Sequence, residues 1–253
     1  MAPPLSRRWL LRAATGLGLG AWALGEAAAP ARAADAPLED GARLAEQLSA
    51  CHPSGDPLAA LLAGNRRFAA LWQSTAGGLD AADRMARFAG LWGGTCQLDP
   101  AALARGQRPW AAVLTCADSR LSPEWLFDVG PGELFDVRSA GNTAFAAGIA
   151  SLEFAVAELA VPLILVLGHS GCGAVTAARA NAPLTPLLEE LVAPIRATLV
   201  PSDDLNQAVR RHAQVVAAQL AEQSALLAEA QGGGRLRITA AFCDLASGAV
   251  SLL

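Results

Sequence analysis

The segment that most restricts the fold is the uninterrupted apolar run Leu163–Leu167, which follows Pro162 and ends at Gly168. Five residues bounded by a proline and a glycine are too few for a core helix and favour a β-strand. A strand that is apolar at every position is buried on both faces. Such strands are typical of a parallel sheet that is covered by helices on both sides.

Other segments fit the same architecture. Further strands are predicted at 111–115, 134–137, 236–242 and 249–252. The last two are joined by a tight turn and should pair antiparallel. Apolar residues at helical spacing predict helices at 41–49, 58–72, 85–92, 148–159 and 205–230. The sequence therefore predicts an α/β fold: a mostly parallel central sheet of four strands plus an antiparallel fifth, flanked by helices, with an N-terminal helical arm.

The first 33 residues read as a secretory signal of the twin-arginine type. Arg7 and Arg8 precede apolar residues, a run of 13 uncharged residues extends from Ala13 to Gly25, and Ala31-Arg32-Ala33 fits a cleavage site. This run is shorter than the roughly 20 residues that a membrane span needs. An amphipathic or anchor helix is the alternative. We expect residues 1–33 to be removed on export to the periplasm, leaving 34–253 as a single domain that is not held in a membrane.

Composition excludes two classes of protein. With 53% hydrophobic and 17% charged residues, the chain is not intrinsically disordered. All 19 basic residues are Arg, and the net charge is −4, so a nucleic-acid partner is not expected. The twin-arginine route carries proteins that have already folded, often around a cofactor, so we expect this chain to hold a metal or an organic cofactor.

Two polar segments directly follow predicted strands, Thr115–Arg120 and Gly168–Gly173. The carboxyl ends of parallel strands meet at one edge of the sheet, where ligands gather. Cys116, His169 and Cys172 would then offer two thiolates and an imidazole, a three-ligand set for Zn²⁺ with one tetrahedral position left. Residue type and spacing alone leave alternatives open: a hydrogen-bonded core histidine, cysteines that pack as small hydrophobes, or a disulfide.

The sequence resembles the beta-class carbonic anhydrases over nearly the whole chain from about Leu58 onward. Cys116–Arg120 matches the family signature Cys-x-Asp-x-Arg, and His169–Gly173 matches His-x-x-Cys-Gly. Supporting matches are Gly64-Asn65-Arg66-Arg67-Phe68, Gln107-x-Pro109, Phe127-Asp128, Gly132-Glu133-Leu134-Phe135 and Arg138-x-Ala140-Gly141-Asn142.

The resemblance implies reversible hydration of carbon dioxide to bicarbonate and a proton. It implies one zinc ion per chain on Cys116, His169 and Cys172, a catalytic Asp118–Arg120 dyad, and a homodimer or higher homo-oligomer with its sites at the subunit interface. The family's positions for substrate-binding residues fall here on Gln107, Phe135, Ala140, Phe154 and Gly173.

The chain departs from the family at two positions. Phe154 stands where some relatives have Tyr, so a hydroxyl is missing. Val113 stands where one subgroup has a Trp that helps form a non-catalytic bicarbonate site, so we do not expect that regulatory site. The alternative functions are hydrolysis of carbonyl sulfide or carbon disulfide, and a non-catalytic zinc-stabilised interaction protein. The presence of both Asp118 and Arg120 argues against the latter.

The remaining cysteines and histidines have no place in this site. Oxidation after export could join Cys51 to Cys96 if the two lie close together. Cys243 belongs neither to this pair nor to the metal ligands. His52 and His212 are expected to be exposed or packing residues, and no proton shuttle is evident.

Replacing both Arg7 and Arg8 with Lys should abolish export, because the twin-arginine receptor reads guanidinium groups and not charge alone. Immunoblots of cytoplasmic and periplasmic fractions measure this. A double mutant that still reaches the periplasm would show that another route reads the signal.

Overall fold

The computed structural model describes residues 38–91, 96–180 and 182–253. The signal predicted at residues 1–33 lies outside the described residues. Within the described part of the chain, no helix is both long enough and apolar enough to cross a membrane.

Five strands form one sheet in the spatial order β2-β1-β3-β4-β5. Their bounds are β1 Ala111–Cys116, β2 Leu134–Ser139, β3 Leu163–His169, β4 Arg237–Asp244 and β5 Ala249–Leu252. The first four strands are parallel to one another, and β5 pairs antiparallel with β4. The predicted fold class, four parallel strands and an antiparallel fifth flanked by helices, is confirmed.

Helices lie between and around the strands. They are α1 Leu38–Ser49, α2 Pro57–Ser74, α3 Ala81–Phe88, α4 Pro100–Leu103, α5 Pro123–Phe127, α6 Ala146–Ala157, α7 Gly173–Arg179, α8 Pro186–Arg196, α9 Leu205–Gln223 and α10 Ala225–Gly232. The predictions at 41–49, 58–72 and 148–159 correspond to α1, α2 and α6. The sequence analysis did not identify the helices α4, α5, α7 and α8.

Two helix predictions need correction. The single helix predicted over 205–230 is two helices, because Ser224 adopts an extended backbone (φ −128°, ψ 111°) and its side chain accepts a hydrogen bond from the N–H of Leu227. The helix predicted over 85–92 begins earlier, at Ala81, because the side chain of Asp80 caps it by accepting from the N–H of Asp83. An N-capping side chain of this kind favours a helix start over continuation of the preceding segment.

The alternation of side chains along β3 explains why every position is apolar. Leu165 and Leu167 belong to the hydrophobic core on one face of the sheet. Ile164 and Val166 belong to the core on the other face, where α6 packs. Since both faces are covered by helices, no position of this strand meets water.

Helix α2 is fastened to its neighbours by a glycine and an asparagine. A Cβ at Gly64 would overlap the backbone carbonyl of Phe127, so α2 packs on α5 with no room for a side chain. The Asn65 side chain donates to the carbonyls of Leu126 and Gly248, and accepts from the N–H of Val250. These two residues therefore join α2 to α5 and to the turn between β4 and β5.

A disulfide joins Cys51 to Cys96. It connects the segment after α1 to the segment before α4, across 45 residues of chain. The pairing that the sequence analysis left open is the one that the structure contains.

Gly64→Ala should lower the free energy of unfolding by about 3 kcal/mol or more, because the added methyl meets rigid backbone on α5. Gly41→Ala is the matched control, since a Cβ at this exposed α1 position would have no atom of the described residues within 4 Å. The control should be neutral or stabilising by about 0.5–1 kcal/mol. Urea denaturation of the two variants measures both changes, and equal stabilities would contradict the packing argument.

Candidate metal centre

The cysteine and histidine that end β1 and β3 are brought together by strand pairing. Cys116 is the last residue of β1, and His169 is the last residue of β3. The two strands pair in parallel with Thr115 opposite Leu167, so both ends lie at the same level of the sheet. Cys172 follows after a turn at Gly171, whose φ of +65° favours glycine, and it caps α7.

The three side chains form a buried cluster with free donor atoms. The two sulfurs and a ring nitrogen of His169 all lie within 4.8 Å of one another. His169 Nδ1 lies 3.0 Å from the carbonyl of Ser170, which can only accept, so Nδ1 carries the proton and Nε2 has a free lone pair. Within the described residues, this buried Nε2 has no hydrogen-bond partner. A buried nitrogen without a partner is costly, so the donor set fits a metal ion.

Local hydrogen bonds favour ionised sulfur. The N–H of Gly141 donates to Cys116 Sγ over 3.2 Å. Hydrogen bonds from the neighbouring Cys172 thiol and from the Gly141 N–H lower the pKa of Cys116. The Cys116 thiolate in turn raises the pKa of Cys172, because without a metal the two sulfurs share one proton. A cation that replaces this proton would bind both as thiolates.

A charged pair lies beside the cluster. Arg120 grips the Asp118 carboxylate with two hydrogen bonds, from Nε at 2.8 Å and from a terminal nitrogen at 2.7 Å. The Arg120 side chain also donates to the carbonyl of Gly171. Asp118 Oδ2 lies 3.8 Å from His169 Nε2, on the side where the lone pair is free. The Arg120 guanidinium holds the pKa of Asp118 well below its usual range, so this carboxyl group is ionised at neutral pH.

Two polar anchors that sequence reasoning missed hold the loops of this site. The Arg138 guanidinium donates to the carbonyls of Cys116, Asp118 and Leu121, and thus fixes the loop after β1. Asp244 accepts from the Ser170 hydroxyl, and thus fixes the loop after β3. Arg138 belongs to the matched motif Arg138-x-Ala140-Gly141-Asn142, but the sequence analysis assigned no role to it. Nothing in the sequence connected Asp244 to Ser170, which is 74 residues away.

The predicted substrate-binding residues fall into two groups. Ala140 lies just after the end of β2, and Gly173 begins α7, so both lie at the same edge of the sheet as the metal donors. Gln107 is exposed and precedes β1, at the opposite edge. Phe135 lies opposite Ala112, four residues before Cys116, roughly 13 Å away along the strand.

The Phe154 ring packs against the Phe135 ring and does not lie beside the metal donors of the same chain. The ring centroids of the two phenylalanines are 6.4 Å apart. The Phe154 side chain is 48% exposed on α6, although it is large and apolar. Within one chain, the structure therefore does not bring Gln107, Phe135 and Phe154 to the cluster.

Three other residues singled out from the sequence are buried. Val113 lies within the core beneath the sheet. Cys243 lies beside His169 in the strand register and has a free thiol, whose pKa burial raises to about 12. His212 was expected to be exposed or packing. It is buried, and both ring nitrogens lie within hydrogen-bond distance of a polar atom.

Comparisons with known proteins agree with this geometry. The carbonic anhydrase family matches residues 111–250, a range that contains all three metal-donor residues and the Asp118–Arg120 pair. Carbonic anhydrase 2 of Mycobacterium tuberculosis is 39% identical over 157 residues, which cover 58% of this chain and 76% of that protein.

Solved structures of the same kind are similar in fold. The beta-carbonic anhydrase CafA of Aspergillus fumigatus superposes with a TM-score of 0.55 at 26% identity, covering 78% of this chain and 91% of that one. A structure from the study of two tetrameric beta-carbonic anhydrases of Sordaria macrospora gives a TM-score of 0.53 at 25% identity, with 60% and 83% covered.

Proposed function

We propose that this chain, which belongs to the beta-class carbonic anhydrase family, hydrates carbon dioxide reversibly to bicarbonate and a proton with one zinc ion held by Cys116, His169 and Cys172. The observation that carries the proposal is the buried Cys-His-Cys cluster, in which His169 Nε2 has no hydrogen-bond partner among the described residues and lies beside the ionised Asp118. When bound there, zinc supplies a Lewis acid that lowers the pKa of water toward neutrality.

The chain's own residues supply orientation. Asp118 is an acceptor at neutral pH, so it can accept a hydrogen from the attacking water and direct the oxygen lone pair toward carbon dioxide. Arg120 holds both carboxylate oxygens of Asp118, which restricts its rotation. Gly173 is an exposed residue and the first of α7, so its N–H has no acceptor within the helix and can donate to a bicarbonate oxygen. Because the Asp118 carboxyl group stays ionised at neutral pH, a change of activity with pH in this range should come from the titration of another group.

We further propose that a second copy of the chain completes the substrate pocket. Gln107, Phe135 and Phe154 lie away from the cluster of their own chain, and Phe154 presents an exposed apolar ring. A homodimer in which these residues face the partner's metal centre gives carbon dioxide an apolar pocket with one amide donor. The tetrameric relatives from Sordaria macrospora support a homo-oligomer.

Export to the periplasm is proposed on two grounds. The N-terminal sequence fits a twin-arginine signal. The Cys51–Cys96 disulfide supports an oxidising compartment, because disulfides persist there and are rare in the bacterial cytoplasm. Loading zinc before export would protect Cys116 and Cys172 from mispairing.

Stopped-flow measurement of carbon dioxide hydration by the purified, zinc-loaded protein tests the activity. A rate indistinguishable from buffer would refute the proposal. Carbonyl sulfide and carbon disulfide assayed in parallel would reveal the alternative hydrolase, which predicts faster turnover of these sulfur compounds than of carbon dioxide.

Cys172→Ser should lose zinc and much of its stability, because the free energy of metal binding is also folding free energy. Cys243→Ser should keep one zinc per chain, since this thiol is not part of the donor cluster. Metal analysis by mass spectrometry and thermal unfolding measure both. Full zinc occupancy in the Cys172 variant would overturn the ligand assignment.

Arg120→Ala should reduce kcat/KM by about 100-fold, because the Asp118 carboxylate loses the guanidinium that holds it and would become free to bind the metal itself. In Asp118→Asn, the neutral amide would bind zinc poorly, so an anion could still reach the metal although the carboxylate no longer orients water. Titration with azide, an anion that binds to an accessible metal ion, distinguishes the two variants. Azide binding should weaken in Arg120→Ala and persist in Asp118→Asn. Near-normal turnover of Arg120→Ala would contradict the assigned role.

Two inactive variants should restore activity when combined, if pockets are shared between subunits. One variant carries Arg120→Ala, which leaves the zinc ligands in place, and the other carries Gln107→Ala with Phe135→Ala. A mixed dimer joins the intact metal centre of the second to the intact pocket of the first. Each mixed dimer has one complete site of two, and about half of the dimers in an equimolar co-refolded mixture are mixed, so the mixture should recover about a quarter of the wild-type sites. Mixtures no more active than their components would show that each chain uses its own residues.

A further inference from the structure

His212, on α9, is a buried side chain for which the proposed mechanism has no use. The residue is 1% exposed. Its Nε2 lies 3.0 Å from the carbonyl oxygen of Gly141, and its Nδ1 lies 3.1 Å from the Thr198 hydroxyl. A ring with a contact at each nitrogen is fixed in orientation, and His212 therefore connects α9 to two other segments.

The contacts assign the protons. The Gly141 carbonyl can only accept, so Nε2 carries a hydrogen and donates it. Burial lowers the pKa of His212 to about 4, so the ring is neutral in the neutral range and Nδ1 is an acceptor. The Thr198 hydroxyl then donates to Nδ1. This hydroxyl also lies 2.8 Å from the carbonyl of Ile195, and its single proton serves one of the two acceptors at a time.

The other side of Gly141 faces the metal cluster. Its N–H donates to Cys116 Sγ over 3.2 Å. The residue has a φ of +81°, and a Cβ there would lie 2.5 Å from the Ile195 side chain, so only glycine fits. Glycine is also the residue with the most backbone freedom. The Gly141 N–H and the Gly141 carbonyl belong to the two peptide planes that meet at this Cα, and the glycine itself does little to fix the angle between them. A contact that anchors the carbonyl therefore restricts the plane that carries the N–H.

We propose that His212 is a positioning residue for the metal centre: by holding the Gly141 carbonyl, it aims the Gly141 N–H at the Cys116 sulfur and limits the charge that this thiolate donates to the bound metal. The inference rests on the function proposed above. Two thiolates donate more charge than imidazoles do and reduce the Lewis acidity of the metal. A hydrogen bond to one sulfur offsets part of this effect.

The test uses the cobalt(II)-substituted protein, because its sulfur-to-cobalt charge-transfer band reports the electron density on the thiolates. In His212→Leu, the Gly141 carbonyl loses its donor and the N–H is no longer directed at Cys116. The more electron-rich sulfur should shift the band to lower energy. The hydration rate of the zinc form should fall about tenfold, as is usual when an outer hydrogen bond to a ligand is lost.

Two further variants separate positioning from packing. His212→Gln keeps an amide N–H for the Gly141 carbonyl and an oxygen for Thr198, so the band should return toward the wild-type energy. Val216→Ala removes buried volume one turn further along the same helix, outside the hydrogen-bonded chain. It should lower thermal stability and leave the band unchanged.

A folded His212→Leu protein with the wild-type band energy would overturn the inference, as would an equal shift in Val216→Ala. If His212→Leu does not fold, Thr198→Val replaces it, since it removes the hydroxyl that fixes the ring. A smaller shift to lower energy supports the role of His212, and no shift refutes it. A wild-type protein that shows no charge-transfer band would instead refute the metal centre itself.

Discussion

The parallel pairing of β1 with β3 is the interaction on which the rest of the site depends. Thr115 lies opposite Leu167, and its buried hydroxyl donates to the Leu167 carbonyl over 3.0 Å. The side-chain bond reinforces the register one residue before the first metal donor. A slip of β3 by one residue would turn every side chain of this strand to the opposite face and separate Cys116 from His169. The sheet therefore sets the positions of Cys116 and His169, and the turn after β3 adds Cys172.

Two thiolates buried together need compensating positive charge, and the fold provides it from three directions. The Gly141 N–H reaches Cys116. The first N–H groups of α7 favour the ionised form of Cys172, the residue that caps this helix. Arg120 lies nearby and is itself held by Asp118. Each contribution is a fixed dipole or a restrained charge, so little reorganisation is needed when a dication enters.

The sequence predicted the sheet and the metal donors because both depend on local patterns. An apolar run such as Leu163–Leu167 specifies a buried strand by itself, and parallel strands bring their carboxyl ends together in any order of pairing. The helix break at Ser224 was missed because apolar spacing continues through it. The link from His212 to Gly141 spans 71 residues and joins a side chain to a backbone carbonyl. No residue type at position 141 could signal which donor holds its carbonyl, so only the folded structure reveals it.

The separation between the metal donors and the pocket residues has a consequence for how the proposed enzyme would work. Gln107 lies four residues before the first residue of β1, and Cys116 is the last residue of this strand, which spans roughly 17 Å. A strand buried in the centre of a sheet cannot bend to bring its two ends together. If the metal donors and Gln107 serve one reaction, the carboxyl edge of the sheet in one chain must face the amino edge of the sheet in a partner chain. Assembly would then be a condition for substrate binding but not for metal binding. A change in the sheet or in the loops at its carboxyl edge would then lower the affinity for the metal. A change in the contact between subunits would lower only the affinity for the substrate.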